Sequence, residues 1–262
     1  GSGVVHSKEE LDSKIRFHLS NTAKKYQITM KPDVLSSQFA QLLIDLEEKY
    51  NQKVVVLVDE YDKPILDNFT NPEISEIMRD GLRDIYSVMK AQQESLRFVL
   101  LTGVSKFAKV SIFSGLNNLQ DISLSPKYGS LCGYTQVDIE RDFVEWLDGV
   151  NMDQLKKWYN GYNFLGEKVY NPFDVLLYLE NRQLKNYWFE TGTPDFLVTL
   201  MKQSQFSLPE LESFYSTDDL MNKFDANNLV IEGFFFQTGY LTIKERVFAL
   251  NGLEKYRLGF PN

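Results

Sequence analysis

The chain has 262 residues, of which 43% are hydrophobic and 14% are aromatic, and it carries a formal net charge of −8 with a pI near 5.0. These proportions are typical of a globular protein with one large domain or two modest ones, and they argue against a disordered chain. The acidic balance disfavours a broad electrostatic grip on nucleic acid, and it leaves open whether a local basic patch exists.

The scarcity of cysteine and histidine excludes several classes of site. Cys132 is the single cysteine, so the chain forms no internal disulfide and no multi-thiolate zinc site. Both histidines, His6 and His18, lie near the N-terminus, which disfavours histidine-based metal or triad chemistry. No apolar run approaches the ~18 residues of a membrane-spanning helix, so we expect no membrane association and a reducing, cytoplasmic location.

In the first half of the chain, helical patterns alternate with continuous apolar runs. The sequence Ser7-Lys8-Glu9-Glu10 fits a capping box that begins the first helix. The next predicted elements are a helix over Ser37–Tyr50, a strand at Val54–Val58, a helix over Glu73–Gln93, a strand at Arg97–Thr102 and a short strand at Ile122–Ser125. Because parallel strands that are buried on both faces read as continuous apolar runs, the alternation predicts an α/β fold with a parallel sheet.

From about Thr135 the pattern becomes mainly helical. Thr135-Gln136-Val137-Asp138 can cap a helix that contains Phe143, Trp146 and Leu147. The other predicted elements are helices at Met152–Tyr159, Pro172–Asn181 and Pro194–Lys202, and strand-like runs at Phe234–Glu245 and Tyr256–Phe260 that are joined across Asn251-Gly252. We therefore predict a core domain over residues 1–134 and a helical lid with a winged-helix-like β-hairpin over residues 135–262.

The strand Val54–Val58 ends in two consecutive acids, Asp59 and Glu60. In P-loop NTPases, one buried strand (Walker B) delivers an acid to the carboxyl edge of the sheet, where phosphates and Mg²⁺ lie. Adjacent side chains leave a strand end in different directions, so Asp59 would hold a Mg²⁺-bound water while Glu60 orients and deprotonates the attacking water. The competing interpretation is a solvated acidic turn. Asp62 adds a third carboxylate, which could assist the metal but better fits a cap of the turn before Pro64.

Other candidate site residues lie at the end of the next buried strand, just after it, and on the predicted helix Glu73–Gln93. Thr102 ends that strand, where such enzymes place a polar residue that senses the γ-phosphate, and an ordinary strand-end hydroxyl is the equal alternative. Lys106 and either Arg79 or Arg83 could supply positive charge to phosphates or to a neighbouring subunit. Each of these three is also typical of a solvated surface residue.

The phosphate-binding loop that should accompany the acidic strand is absent from the sequence. No Gly-x-x-x-x-Gly-Lys-Ser/Thr run occurs, and the glycine pair Gly161 and Gly166 is followed by Glu167 where lysine is needed. Backbone amides and a lysine hold the β- and γ-phosphates in such enzymes. We therefore expect this chain alone to be a poor ATPase or none.

Several motifs, in order, resemble a known family. The string Val58–Ile65 (VDEYDKPI) resembles the motif of bacterial AAA-ATPase-like proteins. Segments that are similar to the same family follow at Leu101–Lys106, Ser111–Leu119, Trp158–Phe164, Val169–Phe173, Tyr187–Pro194 and Gln237–Ile243. The resemblance implies a phosphate loop upstream of this chain, a nuclease-like domain of the PD-(D/E)XK type after it, and Mg²⁺ and ATP as cofactors of the longer protein. It also implies that Asp59 and Glu60 carry the metal and base roles.

The predicted fold is thus a partial P-loop NTPase sheet of the additional-strand type, followed by a mainly helical, winged-helix-like domain. In that class the strand before the phosphate loop lies between the sensor strand and a last strand. If Ile122–Ser125 is the last strand, a sheet without the strand before the phosphate loop would have a gap at that position. Val54–Val58 and Arg97–Thr102 must be neighbours if this core assignment is right. The aromatic residues Tyr159, Tyr162, Phe164 and Tyr170 either pack the lid against the core or contact a nucleotide base or a partner.

Three functional hypotheses remain open at this point. In the first, Mg²⁺-ATP turnover in a longer protein drives a lid movement that controls the nuclease-like domain, and the fragment itself is inactive. In the second, the chain is a non-catalytic interaction or regulatory module, whose residues 135–262 bind a protein partner or a second copy. In the third, Asp59, Glu60 and Asp62 are metal ligands of a nuclease, although Lys63 follows Asp62 directly and the expected acid-x-lysine arrangement is missing.

Overall fold

The computed structural model of the chain describes residues 3–31, 33–104, 112, 118–192, 214–217, 231–249 and 252–261. The chain divides into two compact units, one with the described residues through Leu119 and one with the described residues from Gln120 onward. Helices and strands occur in both units, so the predicted mixed α/β class is confirmed. The assignment of residues 1–134 to a core and of 135–262 to a lid stays a prediction.

The first unit alternates helices and strands, as its sequence pattern predicts. Its elements are α1 (Lys8–Lys25), α2 (Leu35–Tyr50), β1 (Val54–Val58), α3 (Lys63–Leu66), α4 (Pro72–Ala91) and β2 (Leu96–Leu101). Ser7 caps α1 by accepting the N–H of Glu10 at 3.2 Å, and the Glu10 carboxylate accepts the N–H of His6 at 2.7 Å. In a full capping box the glutamate carboxylate would accept the N–H of the capping residue Ser7. Here it accepts the N–H of His6 instead.

The strands β1 and β2 pair in parallel, with Val56 opposite Val99 and Val58 opposite Leu101. This pairing confirms that the strand of the acidic motif and the strand before Thr102 are neighbours. The inward-facing residues of both strands pack against a core that α1, α2 and α4 supply. Its most buried members include Leu11, Leu43, Met78 and Met89.

The opposite face of this sheet is apolar and exposed. Val55 and Phe98 lie opposite each other in the register and are 49% and 52% exposed, and Leu57 is 68% exposed. The sequence predicts burial on both faces, but β1 is covered on one face only in the described part of the chain. Parallel strands are almost always covered on both faces, because apolar side chains point to each side in turn.

The second unit contains short helices and antiparallel strands. Its elements are α5 (Gln136–Asp142), α6 (Met152–Tyr159), β3 (Asn160–Tyr162), β4 (Val169–Tyr170), α7 (Pro172–Asn181), α8 (Tyr187–Gly192), β5 (Phe214–Ser216), α9 (Ile231–Gln237), β6 (Thr242–Phe248) and β7 (Glu254–Gly259). Strands β3 and β4 form one antiparallel pair, and β5, β7 and β6 form an antiparallel sheet in that order. The predicted C-terminal hairpin is thus confirmed, and α6 and α7 have the predicted bounds.

One predicted strand is wrong, and another is correct only in its last residues. Ile122–Ser125 is a turn, in which the Ser125 N–H donates to the Ile122 carbonyl at 3.2 Å, and Pro126 then begins a single 3₁₀ turn. Proline lacks an N–H group, which disfavours continuation of a strand. The run Phe234–Glu245 begins as helix α9 and becomes strand only at Thr242, because Gly239 has a φ of +81° between them. A short aromatic run does not distinguish helix from strand by its periodicity.

The helix after Thr135 is shorter than predicted. It ends at Asp142, and a separate 3₁₀ turn over Val144–Trp146 follows. The predicted helix Pro194–Lys202 lies outside the described residues. None of the helices in the described ranges has the length and apolar character that a membrane crossing requires.

The capping box of α5 provides a test of local stability. Thr135 accepts the N–H of Asp138 at 3.1 Å, and the Asp138 carboxylate accepts the N–H of Thr135 at 2.9 Å. We expect Thr135→Ala to lower the free energy of unfolding by about 1 kcal/mol, whereas Thr135→Ser keeps the capping oxygen and most of the stability. Urea denaturation followed by circular dichroism measures both, and equal losses in the two variants would contradict the cap.

The same box makes stability depend on pH. Hydrogen bonds from the Thr135 hydroxyl and backbone hold the pKa of Asp138 below its ordinary value of 3.8. A lowered native pKa stabilises the fold above the unfolded value, and this contribution is lost as pH falls through the native pKa. The stability difference between the wild type and Asp138→Asn should therefore be present at pH 7 and should vanish as the pH is lowered below 3.8.

Candidate functional site

The acidic turn and the end of β2 lie at one edge of the parallel pair. The Thr102 N–H donates to the Val58 carbonyl at 2.9 Å, and the Tyr61 N–H donates to the Thr102 carbonyl at 3.0 Å. These bonds continue the strand pairing beyond both strand ends. Because the carboxyl ends of parallel strands meet at the same edge, Asp59, Glu60 and Thr102 come together there, as the sequence predicts.

Asp59 and Thr102 are in direct contact. The Thr102 hydroxyl donates to Asp59 Oδ1 at 2.5 Å, and the same oxygen accepts the N–H of Glu60 at 3.0 Å. Asp59 is exposed to solvent, so its carboxylate is held in orientation while it stays accessible to a ligand. The predicted roles of Asp59 as a metal ligand and of Thr102 as a sensor stay predictions.

Glu60 follows Asp59 with an unusual backbone conformation. Its φ is +54°, in the left-handed region that side chains other than glycine rarely adopt. The conformation closes the turn, since the Lys63 N–H donates to the Glu60 carbonyl at 3.1 Å. Glu60 is exposed to solvent.

Asp62 differs from the other two acids because it is fully buried. Its Oδ1 accepts the N–H of Val104 at 3.2 Å, so the side chain binds the segment that follows β2. The predicted side-chain cap of the turn before Pro64 is wrong, because the Asp62 side chain makes no capping bond to α3. The backbone carbonyl of Asp62 closes that turn instead, by accepting the N–H groups of Ile65 and Leu66.

The oxygen atoms at this edge are of the type that hard cations such as Mg²⁺, Ca²⁺ and Mn²⁺ prefer. Asp59 supplies an exposed carboxylate beside a hydroxyl. Asp62 is buried and its Oδ1 accepts the N–H of Val104, which does not fit the hypothesis of a nuclease with Asp59, Glu60 and Asp62 as joint metal ligands.

Of the candidate positively charged residues, Arg79 and Arg83 form ion pairs on their own helix, and Lys106 is outside the described residues. Arg79 pairs with Glu76 at 3.2 Å, and Arg83 pairs with Asp80 at 2.9 Å, in both cases along the surface of α4. Lys106 lies outside the described residues. The structure therefore gives no reason to assign Arg79 or Arg83 to a phosphate.

The pair Gly161 and Gly166 lies in a context unlike that of a phosphate loop. A phosphate loop joins a strand to the N-terminus of a helix, where N–H groups bind the anion. Here the segment joins the antiparallel strands β3 and β4. A Cβ atom added to Gly166 would lie 3.1 Å from the Gly129 Cα, so close backbone packing explains that glycine.

The aromatic motifs of the second unit mainly build its core. Tyr159 and Tyr170 are 1% and 0% exposed and pack with Ile139, Leu155 and Val175. These two tyrosines therefore pack inside the second unit, and packing of the lid against the core stays a prediction.

Asp174 is a buried acid that sequence reasoning missed. It lies in the first turn of α7 and accepts the N–H of Trp188 at 2.9 Å, which fixes the start of α8. Burial raises the pKa of Asp174, although the N–H groups of Trp188 and Tyr187 act in the opposite direction. An acid in a first helical turn is ordinary, so the sequence offers no signal of this contact.

Comparison with known proteins gives a match for most of the first unit. Residues 2–113 match the AAA-ATPase-like family model, described as predicted AAA-ATPase. This match agrees with the resemblance carried by the VDEYDKPI motif, which lies within the matched residues.

Similarity to a particular relative extends over the whole chain. All 262 residues are 46% identical to the "Uncharacterized protein in vnfD 5'region" of Azotobacter chroococcum mcd 1. The match covers 100% of this chain and 51% of the relative, so the chain spans about half the length of that curated protein. No solved structure matches the chain.

The left-handed conformation at position 60 can be tested by substitution. Glycine adopts positive φ without the steric conflict of a Cβ atom, so we expect Glu60→Gly to raise the stability of the fold by up to about 1 kcal/mol. Glu60→Val should lower it by about 1–2 kcal/mol, because a β-branched side chain is least tolerated there.

Thermal unfolding of these variants measures the difference. Glu48→Gly in α2 is a matched control, because glycine at that exposed helical position should cost about 1 kcal/mol. A larger loss in Glu60→Gly than in Glu60→Val would contradict the assigned backbone conformation.

Proposed function

We propose that this chain supplies the acidic half of a Mg²⁺-ATP site in a longer P-loop ATPase. The observation that carries the proposal is the parallel pairing of β1 with β2, which brings Asp59, Glu60 and Thr102 to one edge. The match of residues 2–113 to the AAA-ATPase-like family model supports the same proposal. In the proposed fold, β1 is the Walker B strand and β2 is the sensor strand.

Asp59 is the proposed Mg²⁺ ligand. When bound, Mg²⁺ neutralises charge on the β- and γ-phosphates of ATP. The exposed carboxylate of Asp59 would hold the ion directly or through a bound water, and the Thr102 hydroxyl fixes the orientation of that carboxylate through Oδ1. Thr102 is also the proposed sensor, since its hydroxyl lies beside the residue that would bind the metal.

Glu60 is the proposed general base. Its carboxylate would accept a proton from the attacking water as that water adds to the γ-phosphorus, and ADP would leave with the bridging oxygen. Glu60 is exposed, so its carboxylate is accessible to a water molecule beside the site.

The nucleotide-holding groups are proposed to come from outside this sequence. The chain contains no glycine-lysine phosphate loop. The exposed apolar face of Val55, Leu57 and Phe98 is consistent with a sheet that needs further elements to cover it. We therefore expect the isolated chain to lack ATPase activity, and a nuclease-like domain controlled by the ATPase is part of the same proposal.

A second candidate function is a non-catalytic interaction module. In the second unit, the β6–β7 hairpin exposes Phe248 and Leu253 near its turn, where they are 66% and 58% exposed. Exposed apolar side chains at a hairpin are common at protein-binding surfaces. We propose a winged-helix-like lid for this unit, which would serve either function.

Glu60→Gln in the longer protein distinguishes the two candidates. We expect the variant to bind Mg²⁺-ATP like the wild type but to turn it over at least about 100-fold more slowly, because a positioned general base contributes that much. Steady-state ATP hydrolysis and equilibrium nucleotide binding are the measurements.

Glu94→Gln is the matched control, because this exposed glutamate lies in the 3₁₀ turn before β2 and away from the acidic turn. Its turnover should equal that of the wild type. Unchanged turnover in Glu60→Gln would remove the residue from the base role, and absence of ATP hydrolysis in the wild type would favour the interaction module.

A further inference from the structure

The acidic turn and the segment that leaves β2 are connected by a buried carboxylate. Asp62 is 0% exposed, whereas Asp59 and Glu60 in the same turn are exposed. A buried carboxylate is costly unless hydrogen bonds or charges compensate for its lost hydration. The Val104 N–H supplies one such bond, at 3.2 Å from Oδ1.

The contact with Val104 fixes a short segment at both ends. Thr102 is bound to the acidic turn through its N–H, its carbonyl and its hydroxyl. Val104, two residues later, is bound by Asp62. Residues 102–104 therefore cannot move away from Asp59 without breaking bonds at both positions.

Gly103 completes the fit of this segment against the turn. A Cβ atom added at Gly103 would lie 2.6 Å from Asp62 Oδ1 and 2.7 Å from Tyr61 Cε1. Both distances are shorter than a non-bonded contact allows, so any larger residue would push the segment off the turn. The short string Thr102-Gly103-Val104 is thus shaped to lie directly on Tyr61 and Asp62.

The surroundings of Asp62 make it unsuited to hold a metal itself. Its side chain is inaccessible to solvent, and one of its oxygens is used by Val104. Burial raises the pKa of Tyr86, a buried residue of α4, and the negative charge of Asp62 raises it further.

We propose that Asp62 is a positioning residue, which holds Thr102 against Asp59 by binding the backbone of Val104. This inference rests on the proposed function, because it gives the third acid of the motif a role at the same Mg²⁺ site. Asp62 does not touch metal or phosphate in this arrangement. It fixes the segment that presents the sensor hydroxyl.

The test uses the 262-residue chain labelled with ¹⁵N, and Mn²⁺ alone as a paramagnetic substitute for Mg²⁺. In the wild type we expect Mn²⁺ to broaden the amide signals of Glu60 and Gly103 together. In Asp62→Ala, broadening at Glu60 should persist, while broadening at Gly103 falls because the segment is released. Hydrogen exchange at the Val104 amide should become about tenfold faster, as expected for the loss of one backbone hydrogen bond.

Two further variants separate positioning from a general loss of structure. Asp62→Asn keeps an acceptor oxygen, so its Val104 exchange rate should stay within about threefold of the wild type. Gly103→Ala leaves the carboxylate intact but displaces the segment sterically, so it should reproduce the effect of Asp62→Ala. Unchanged amide signals from α1, α2 and α4, which form the core of the same unit, would show that each variant is folded.

The results distinguish an error in the positioning role of Asp62 from an error in the proposed metal site. Unchanged Val104 exchange in both Asp62→Ala and Gly103→Ala would overturn the positioning role. Loss of Mn²⁺ broadening at Glu60 in Asp62→Asn would also overturn it, because Asp62 would then be a ligand. Absence of any Mn²⁺ effect in the wild type would count against the metal site, while the exchange rates would still decide the role of Asp62.

Discussion

The parallel pairing of β1 with β2 is the constraint on which the first unit depends. Parallel strands need a long crossover, and α3 with α4 supplies it while covering one face of the sheet. The same pairing brings two strand ends to one edge. Main-chain hydrogen bonds continue past the strands as far as Thr102 and Tyr61, so the acidic turn is rigid where it faces solvent.

Within this turn, backbone geometry gives three nearby acids three different environments. Asp59 accepts a hydrogen bond from the Thr102 hydroxyl and is exposed. Glu60 is exposed in a left-handed backbone conformation, and Asp62 is buried. The turn therefore offers two exposed carboxylates to a ligand and uses the third one inside the fold.

The aromatic residues Tyr159 and Tyr170 of the second unit belong to its core, although aromatic motifs of this kind also suggest a binding site. Tyr159 is buried in the core, and its hydroxyl both donates to the Lys185 carbonyl and accepts the Lys185 N–H, each at 3.0 Å. Tyrosine in a core needs such a partner for its polar end. Asp174 likewise holds the start of α8 from inside the unit. These residues stabilise the unit from inside, whereas Phe248 and Leu253 of the hairpin are among its exposed apolar side chains.

The sequence by itself determined the order of helices and strands in the first unit, the edge at which Asp59, Glu60 and Thr102 meet, and the absence of a phosphate loop. Those features follow from local periodicity, from the rule that parallel strand ends coincide, and from motif spacing. The tertiary structure decided what depends on distant contacts. It showed that β1 is covered on one face, that Phe234–Gln237 is helical, and that Asp62 binds Val104. A pattern of residue types does not state which partner a buried carboxylate will find, because that partner comes from another part of the chain.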